Sequence, residues 1–268
     1  MAVHLGIEPG KEAQEMANAI VATAEQAGLA VEVICRENPW EALAENEIDF
    51  FVAEGERYLF QPDLPPVCVA RRDSLRDVIV AADETVQLEN FAAEWKIAVF
   101  SARQEALLKR YFGHIAPVLI DPTVEPSLDL LSRHACDGMM LAQASARRLG
   151  LNAQITQKCS PHTFPPPPGR GMTLLLGAAT SDEGKRLAKA VGRKTESIAW
   201  EAERRFAKQM KQQEKPINFG IASIIGDSMS MKGGWISADG QEMHQTEISL
   251  DRLDPLACAD RLVERLHQ

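Results

Sequence analysis

Short apolar runs alternate with helical stretches over the first 150 residues, and this alternation restricts the fold more than any other feature of the chain. The strand-like AVHLGI (2–7) is followed by an amphipathic helix from about Glu12 to Gln26, a stop at Gly28 and the strand LAVEVIC (29–35). A short helix in PWEALAEN (39–46) leads to the runs IDFFVA (48–53), VCVARR (67–72) and DVIVAA (77–82), with Pro62, Pro65 and Pro66 breaking the pattern between the first two. A second series begins at WKIAVF (95–100) and repeats strand and helix through APVLID (116–121), PSLDLLSRH (126–134), DGMMLAQ (137–143) and SARRLGL (145–151). Parallel strands need long crossovers, usually helical, so the pattern predicts two largely parallel sheets covered by helices.

The texture then changes twice. SPHTFPPPPGRG (160–171) favours polyproline II and admits neither a helix nor a sheet ladder, so it reads as a crossing between domains whose glycines make the turn. After the strand MTLLLGAA (172–179), residues 183–212 are helical in pattern. Three strands follow, INFGIASIIG, SMSMKGGWIS and QEMHQTEISL, split by GD and ADG turns and closed by the helix PLACADRLVERLH. We expect α/β domains over 1–92 (with 171–182) and 93–170, and a small α+β domain with a three-stranded antiparallel sheet over 183–268.

Composition excludes several roles. The net charge of −9 opposes unspecific nucleic-acid binding, which needs a basic face. No apolar run is long enough to cross a bilayer and the N-terminus has no basic-then-apolar leader pattern, so a cytoplasmic protein without membrane contact is expected. Cys35, Cys68, Cys136, Cys159 and Cys258 form no C-x-x-C pair, and the six histidines lack ligand spacing, so neither disulfides nor a metal site is expected.

Four strings in register resemble the hydroxymethylbilane synthase family, also called porphobilinogen deaminase. They are ARRDSLRDVIV (70–80), DGMMLAQASARRLGL (137–151), FPPPPGRG (164–171) and AERRF (202–206). The resemblance implies two periplasmic-binding-protein-like β-α-β domains around a cleft, plus a three-stranded C-terminal domain. It also implies synthesis of the linear tetrapyrrole hydroxymethylbilane from four porphobilinogens, on a dipyrromethane cofactor thioether-linked to a cysteine shortly after A-E-R-x-F.

The chain departs from that pattern where the chemistry lies. Gln213 occupies the thiol position and Lys211 and Gln212 replace its glycines, although Pro216 and Ile217 keep the following P-I; no cysteine occurs between Cys159 and Cys258. In the family's H-S-x-K-D motif this chain has Ala53 at the histidine, Glu56 at the lysine and Arg57 at the acid/base aspartate. Anion-binding arginines are replaced by Glu8, Ala102, Asp121 and Ser127, and the cleft-covering loop is shortened. No covalent dipyrromethane is therefore expected.

What is kept suggests what is bound. By the resemblance, Arg148 falls at a substrate-side arginine with Arg147 beside it, while Arg103 and Arg170 lie in cleft segments; these four are the expected substrate-carboxylate ligands, since the guanidinium fork bonds both oxygens. Arg71, Arg72 and Arg76, at strand edges, read as solvated surface arginines or ones paired with the chain's many acids. No catalytic group is assigned, with Glu54 and Tyr58 as candidate proton donors. The leading expectation is a uroporphyrinogen-III synthase that cyclises hydroxymethylbilane. The alternatives are an atypical deaminase and a non-catalytic tetrapyrrole-binding protein, with an authentic hydroxymethylbilane synthase as a possible partner.

Overall fold

The computed structural model describes residues 2–61, 65–121, 123–214 and 217–267. Pro62, Lys215 and Pro216, and with Pro216 half of the retained P-I, lie outside the described residues. In chain order the elements are β1 (Val3–Ile7), α1 (Lys11–Gln26), β2 (Val31–Cys35), α2 (Pro39–Ala44), β3 (Phe50–Glu54), α3 (Gly55–Tyr58), β4 (Cys68–Val69) and β5 (Asp77–Val80). Then come β6 (Lys96–Val99), α4 (Ala102–Tyr111), β7 (Ala116–Leu119), α5 (Leu128–Arg133), β8 (Gly138–Ala142), α6 (Gln143–Arg148) and β9 (Ile155–Lys158). The chain closes with β10 (Thr173–Gly177), α7 (Asp182–Val191), α8 (Lys194–Gln212), β11 (Asn218–Ile225), β12 (Ser228–Ile236), β13 (Met243–Asp251) and α9 (Pro255–Leu266).

Local sequence explains where these elements start and which face they bury. α1 buries Met16, Ala17, Ile20 and Ala24, a helical spacing, against the first sheet. The oxygens of Ser101, Ser127 and Ser181 accept hydrogen bonds from the backbone N–H groups of Gln104, Leu130 and Gly184, capping α4, α5 and α7. The helical pattern over 183–212 is two helices rather than one, because the chain turns at Gly192. A Cβ there would lie 2.7 Å from the Ala188 carbonyl oxygen and 2.8 Å from the Cys68 Cβ, so only glycine allows this approach of α7 to β4.

Two five-stranded sheets carry the lobes, in the orders β2-β1-β3-β10-β4 and β7-β6-β8-β5-β9. The β-α-β cores are parallel as expected, with β1 beside β2 and β3, and β6 beside β7 and β8. The sheets as wholes are mixed. β10 runs antiparallel to β3 and β4, and β5 antiparallel to β8 and β9, because each of these strands has just crossed from the other lobe.

That crossing corrects the expected domain boundary. β5 belongs to the second sheet, and Val86, Leu88 and Phe91 pack with Ile97 and Leu107 of the second lobe, so the chain leaves the first lobe within 70–76 and not at 92. It returns through 159–172. α7 packs on α1 and β4 and so belongs to the first lobe instead of the C-terminal unit.

The C-terminal unit is the expected antiparallel sheet, β11-β12-β13, with α8 and α9 against it. Phe206 and Met210 of α8 sit in one apolar cluster with Met231 and Leu262 of this unit and with Phe51 and Leu174 of the first lobe. Phe219 and Ile236 join the core of the second lobe. Each such buried side chain contributes about 1.5–3 kcal/mol, so the third unit clamps both lobes. Among the described residues no helix is long and apolar enough to cross a membrane.

Candidate functional site

A cleft of about 320 Å³ opens between the lobes at the carboxyl ends of the parallel strands, the usual ligand position in open α/β sheets. The loop after β1 brings Glu8 and the first turn of α1 brings Glu12; β3 ends in Glu54 and runs into Glu56 and Arg57 of α3. The second lobe contributes Gln104 from α4, Glu125 from the loop after β7 and Ser145 from α6, and the return crossing contributes Arg170. The crossing turn depends on its glycines: Gly169 and Gly171 have φ of 77° and 70°, the left-handed region, and a Cβ on Gly169 would strike the Gly55 backbone at 2.7 Å.

Five glutamates against two arginines make the wall of this cleft acidic. Arg57, at the position of the family's aspartate, is largely exposed and reaches Glu54 at 3.6 Å. Burial pushes the Glu56 carboxyl above its ordinary range, and Arg170, 3.2 Å away, offsets this only in part. Glu12 is raised as well, first by burial and then by the Glu54 charge, against the opposing effect of a hydrogen bond from Ser145 and the charge of Arg148. Two carboxyls inclined to hold a proton therefore stand in one cleft, the usual arrangement for acid catalysis.

Behind the cleft wall lies a buried ionic cluster centred on Asp77, the first residue of β5. Asp77 accepts from Arg103 at 2.6 Å and from Gln104 at 3.1 Å, and Arg170 lies 3.6 Å away. Burial alone would raise this carboxyl, but Arg103 and Arg170 outweigh it and hold Asp77 below its ordinary range. Arg103 also donates to the Pro165 carbonyl oxygen at 2.8 Å, which ties the polyproline crossing to α4.

The four arginines expected to hold substrate are therefore already engaged. Arg103 is 5% exposed and bound to Asp77, and it does not line the cleft. Arg148 is spanned by Glu54 at 3.5 Å and Glu12 at 3.8 Å. Arg147 is in a close ion pair with Asp73 on the far side of α6, away from the cleft. Only Arg170 faces the cleft, with Glu56 and Asp77 on it. These arginines do not form an open cradle, because each carries a carboxylate of this chain.

The two candidate proton donors separate. Glu54 lines the cleft. Tyr58 does not: it is 2% exposed, with its ring stacked 5.6 Å from Trp40 and 6.3 Å from Trp200 in the core, where an aromatic at the end of α3 is drawn by packing. Sequence reasoning missed Glu12, Asp77 and Glu203. Glu203, the glutamate of AERRF, is fully buried and accepts from Arg72 at 2.7 Å, Gly169 N at 2.7 Å and Ala222 N at 2.8 Å, fastening both crossings to the third unit. The available signal for Asp77 was an acid opening the wholly apolar run DVIVAA, since such a residue is buried and needs partners.

The residues present do not fit a thioether-linked cofactor. Gln213 caps the C-terminal end of α8, and its side-chain oxygen meets the His267 ring rather than the cleft. No cysteine lines the cleft. The thiols of Cys68 and Cys258 are each pushed up to about 11, first by burial, and burial raises Cys159 further still, so these three resist forming the thiolate such a bond requires. Among the described residues no group of three histidines, cysteines or carboxylates is placed to hold a metal.

A family model described as "Porphobilinogen deaminase, dipyromethane cofactor binding domain" matches residues 19–186. A porphobilinogen deaminase of Desulfosudis oleivorans is 25% identical over 75% of this chain and 66% of its own length, and one of Cytophaga hutchinsonii is 25% identical over 70% and 61%. The match thus spans just under two thirds of those relatives. Among solved structures, a methionine binding protein has a TM-score of 0.47 at 14% identity, covering 70% of this chain and 89% of that one. A Burkholderia cenocepacia nutrient binding protein bound to methionine has a TM-score of 0.46 at 14% identity, covering 79% of this chain and 96% of that one.

Proposed function

The chain belongs to the porphobilinogen deaminase family, and from that premise we propose that it works on the tetrapyrrole pathway without a covalent dipyrromethane, cyclising hydroxymethylbilane to uroporphyrinogen III. The observation that carries this reading is that Glu12 and Glu56, both raised above the ordinary carboxyl range by burial, line one cleft that offers no thiol.

Cyclisation requires the terminal hydroxyl to leave, the last ring to invert and the chain to close. Glu56 or Glu12 donates a proton to the hydroxyl oxygen, the C–O bond breaks and water departs. The pyrrole nitrogen supplies the electron pair and becomes the site of positive charge. Glu54, held between Arg57 and Arg148, and Glu8 put negative charge beside that cation. The substituted α-carbon of the last ring closes first on the cationic methylene. That ring's old bond to its bridging methylene then breaks, which moves the cation to the preceding ring's methylene. The last ring's other α-carbon closes there with its orientation inverted and loses a proton, which returns to the carboxylate that gave one up. Acid–base balance is restored without a further reactant.

An acidic wall also suits the pyrrole N–H groups, which are donors. The substrate's many carboxylates are disfavoured there, so they are directed outward to solvent. The cleft volume lies at the low end of the ~300–1,000 Å³ range of small-molecule pockets, which suits a grip on the hydroxymethyl end of the substrate and not on its full length.

A second reading, an atypical deaminase, is favoured by the name both curated relatives carry; ammonia would then leave in place of water. One experiment separates the two. The protein is supplied with hydroxymethylbilane made in place by an authentic deaminase, and the oxidised uroporphyrin isomers are resolved by chromatography. Excess type III over the spontaneous type I supports the cyclase. Consumption of porphobilinogen supplied alone, with a gain in protein mass, supports the deaminase. Neither result would leave a binding protein.

A further inference from the structure

We infer that the chain has a second ligand site, for a small anion bearing two or more carboxylate or phosphate groups, in the basic pocket of about 750 Å³ behind the hinge between the lobes. Helix α1 separates it from the cleft: Glu12 and Ala13 line the cleft, Glu15, Asn18 and Ala19 line the rear pocket, and of this helix Met16 alone reaches both. The remaining walls are the outgoing crossing at 70–74, the end of α6 and the turn after α7.

Five arginines line this pocket (Arg71, Arg72, Arg147, Arg148 and Arg193) against the two acids Glu15 and Asp73, a local surplus of positive charge in a chain of net charge −9. Their partners decide which are available. Arg72 is held by Glu203 at 2.7 Å and Glu196 at 3.5 Å, and Arg148 by Glu12 and Glu54, so both are neutralised from within. Arg193 donates through one nitrogen to the carbonyl oxygens of Ala190, Val191 and Gly192, which fixes the guanidinium without cancelling its charge. Arg147 pairs with Asp73 but remains 58% exposed. Arg71 is exposed and has neither ion pair nor hydrogen bond among the described residues.

Arg71 and Arg193 thus present forks suited to planar oxyanions around one concavity, with Arg147, still largely exposed in its pair with Asp73, also on its wall. The hydroxyls of Thr23, Ser74 and Thr173 line it as well. A single charge would leave most of these donors unused, whereas a polyanion engages them together. The cleft differs in sign, so the two sites select different chemistry.

Isothermal titration of the full chain with tricarballylate and, separately, with pyrophosphate tests this directly. Saturable binding of at least one probe is expected, weakened by added salt. Arg71→Ala, which removes no ion pair or hydrogen bond among the described residues, should loosen it about tenfold and leave the unfolding midpoint unchanged; Arg71→Ala/Arg147→Ala should loosen it further. Preference between the probes identifies the natural ligand as a carboxylate or a phosphate compound. Glu56→Gln in the cleft should leave the affinity as it is. Absence of saturable binding for both probes, or affinity indifferent to Arg71→Ala, overturns the site, and neither result bears on cyclisation in the cleft.

Discussion

The front cleft and the rear pocket share helix α1 as a wall and both contain arginines, yet one is acidic and the other basic. At the front, Arg170 lies against Glu56 and Asp77 and Arg57 against Glu54, so their charge is met by carboxylates of the protein itself. At the rear, Arg71 has no partner among the described residues and Arg193 meets only carbonyl oxygens. The difference shows that an arginine's role follows from what stands opposite it rather than from its place in a motif. On this reading the cleft, whose arginines face carboxylates, handles protons, and the rear pocket, where Arg71 and Arg193 face none among the described residues, handles anions.

The largest test of this contrast removes the carboxylate that cancels two of the buried cations. Asp77→Ala leaves Arg103 and Arg170 facing each other without their shared partner, and truncating one side of a buried pair costs about 3–5 kcal/mol. Chemical denaturation should show the midpoint falling accordingly. A loss well under 1 kcal/mol would mean that the cluster is not what holds the return crossing in place.

A smaller but more specific effect is expected at the cleft. Glu56→Gln keeps the shape and removes the proton, so isomer III formation should slow by about 10²-fold, the lower end of the usual contribution of a general acid. The alkaline limb of the pH–rate profile should change with it, since that limb reports deprotonation of the raised carboxyls.

Within the front region, the cleft carboxyls and the buried Asp77 oppose each other in stability against pH. Glu12 and Glu56 have folded pKa values above their unfolded ones, so their contribution is fully present below the unfolded value and is lost as pH rises through the folded value. Asp77 has the opposite sign: its contribution is present above its unfolded value and is lost as pH falls through the folded one. Thermal melts of Glu12→Gln/Glu56→Gln should therefore gain on the wild type as pH rises from about 4.5. Parallel melting curves for the two proteins across that window would remove the proton-holding role of the cleft. The smallest effect is none: Gln213→Cys incubated with porphobilinogen should show no mass beyond that of the substitution, because α8 ends away from the cleft.

Much of the scaffold was legible from periodicity and turn residues. The β-α-β series, the polyproline crossing and the three C-terminal strands all follow from local patterns that tertiary contacts reinforce. β9, with the polar ITQK, gave no such signal, and the antiparallel direction of β5 and β10 is set by the chain passing between lobes, which no local run encodes. The boundary placed at 92 failed for the same reason, since DVIVAA looks identical in either sheet. The site was less legible than the fold. Arg148 and Glu54 are 94 residues apart, so the pairing that neutralises the expected cradle exists only after folding. Tyr58 was misplaced because a motif gives the position of a residue along the chain and not the side of the short helix α3 on which the core lies.

The central claim, that a carboxyl-lined cleft without a thiol closes a linear tetrapyrrole, is tested most directly by one comparison. Wild type and Glu56→Gln receive hydroxymethylbilane generated in place, and the uroporphyrin isomers are separated side by side. The account predicts type III in excess with the wild type, falling toward the spontaneous type I with the variant. Type I alone from the wild type, or an equal type III excess from both proteins, would contradict it.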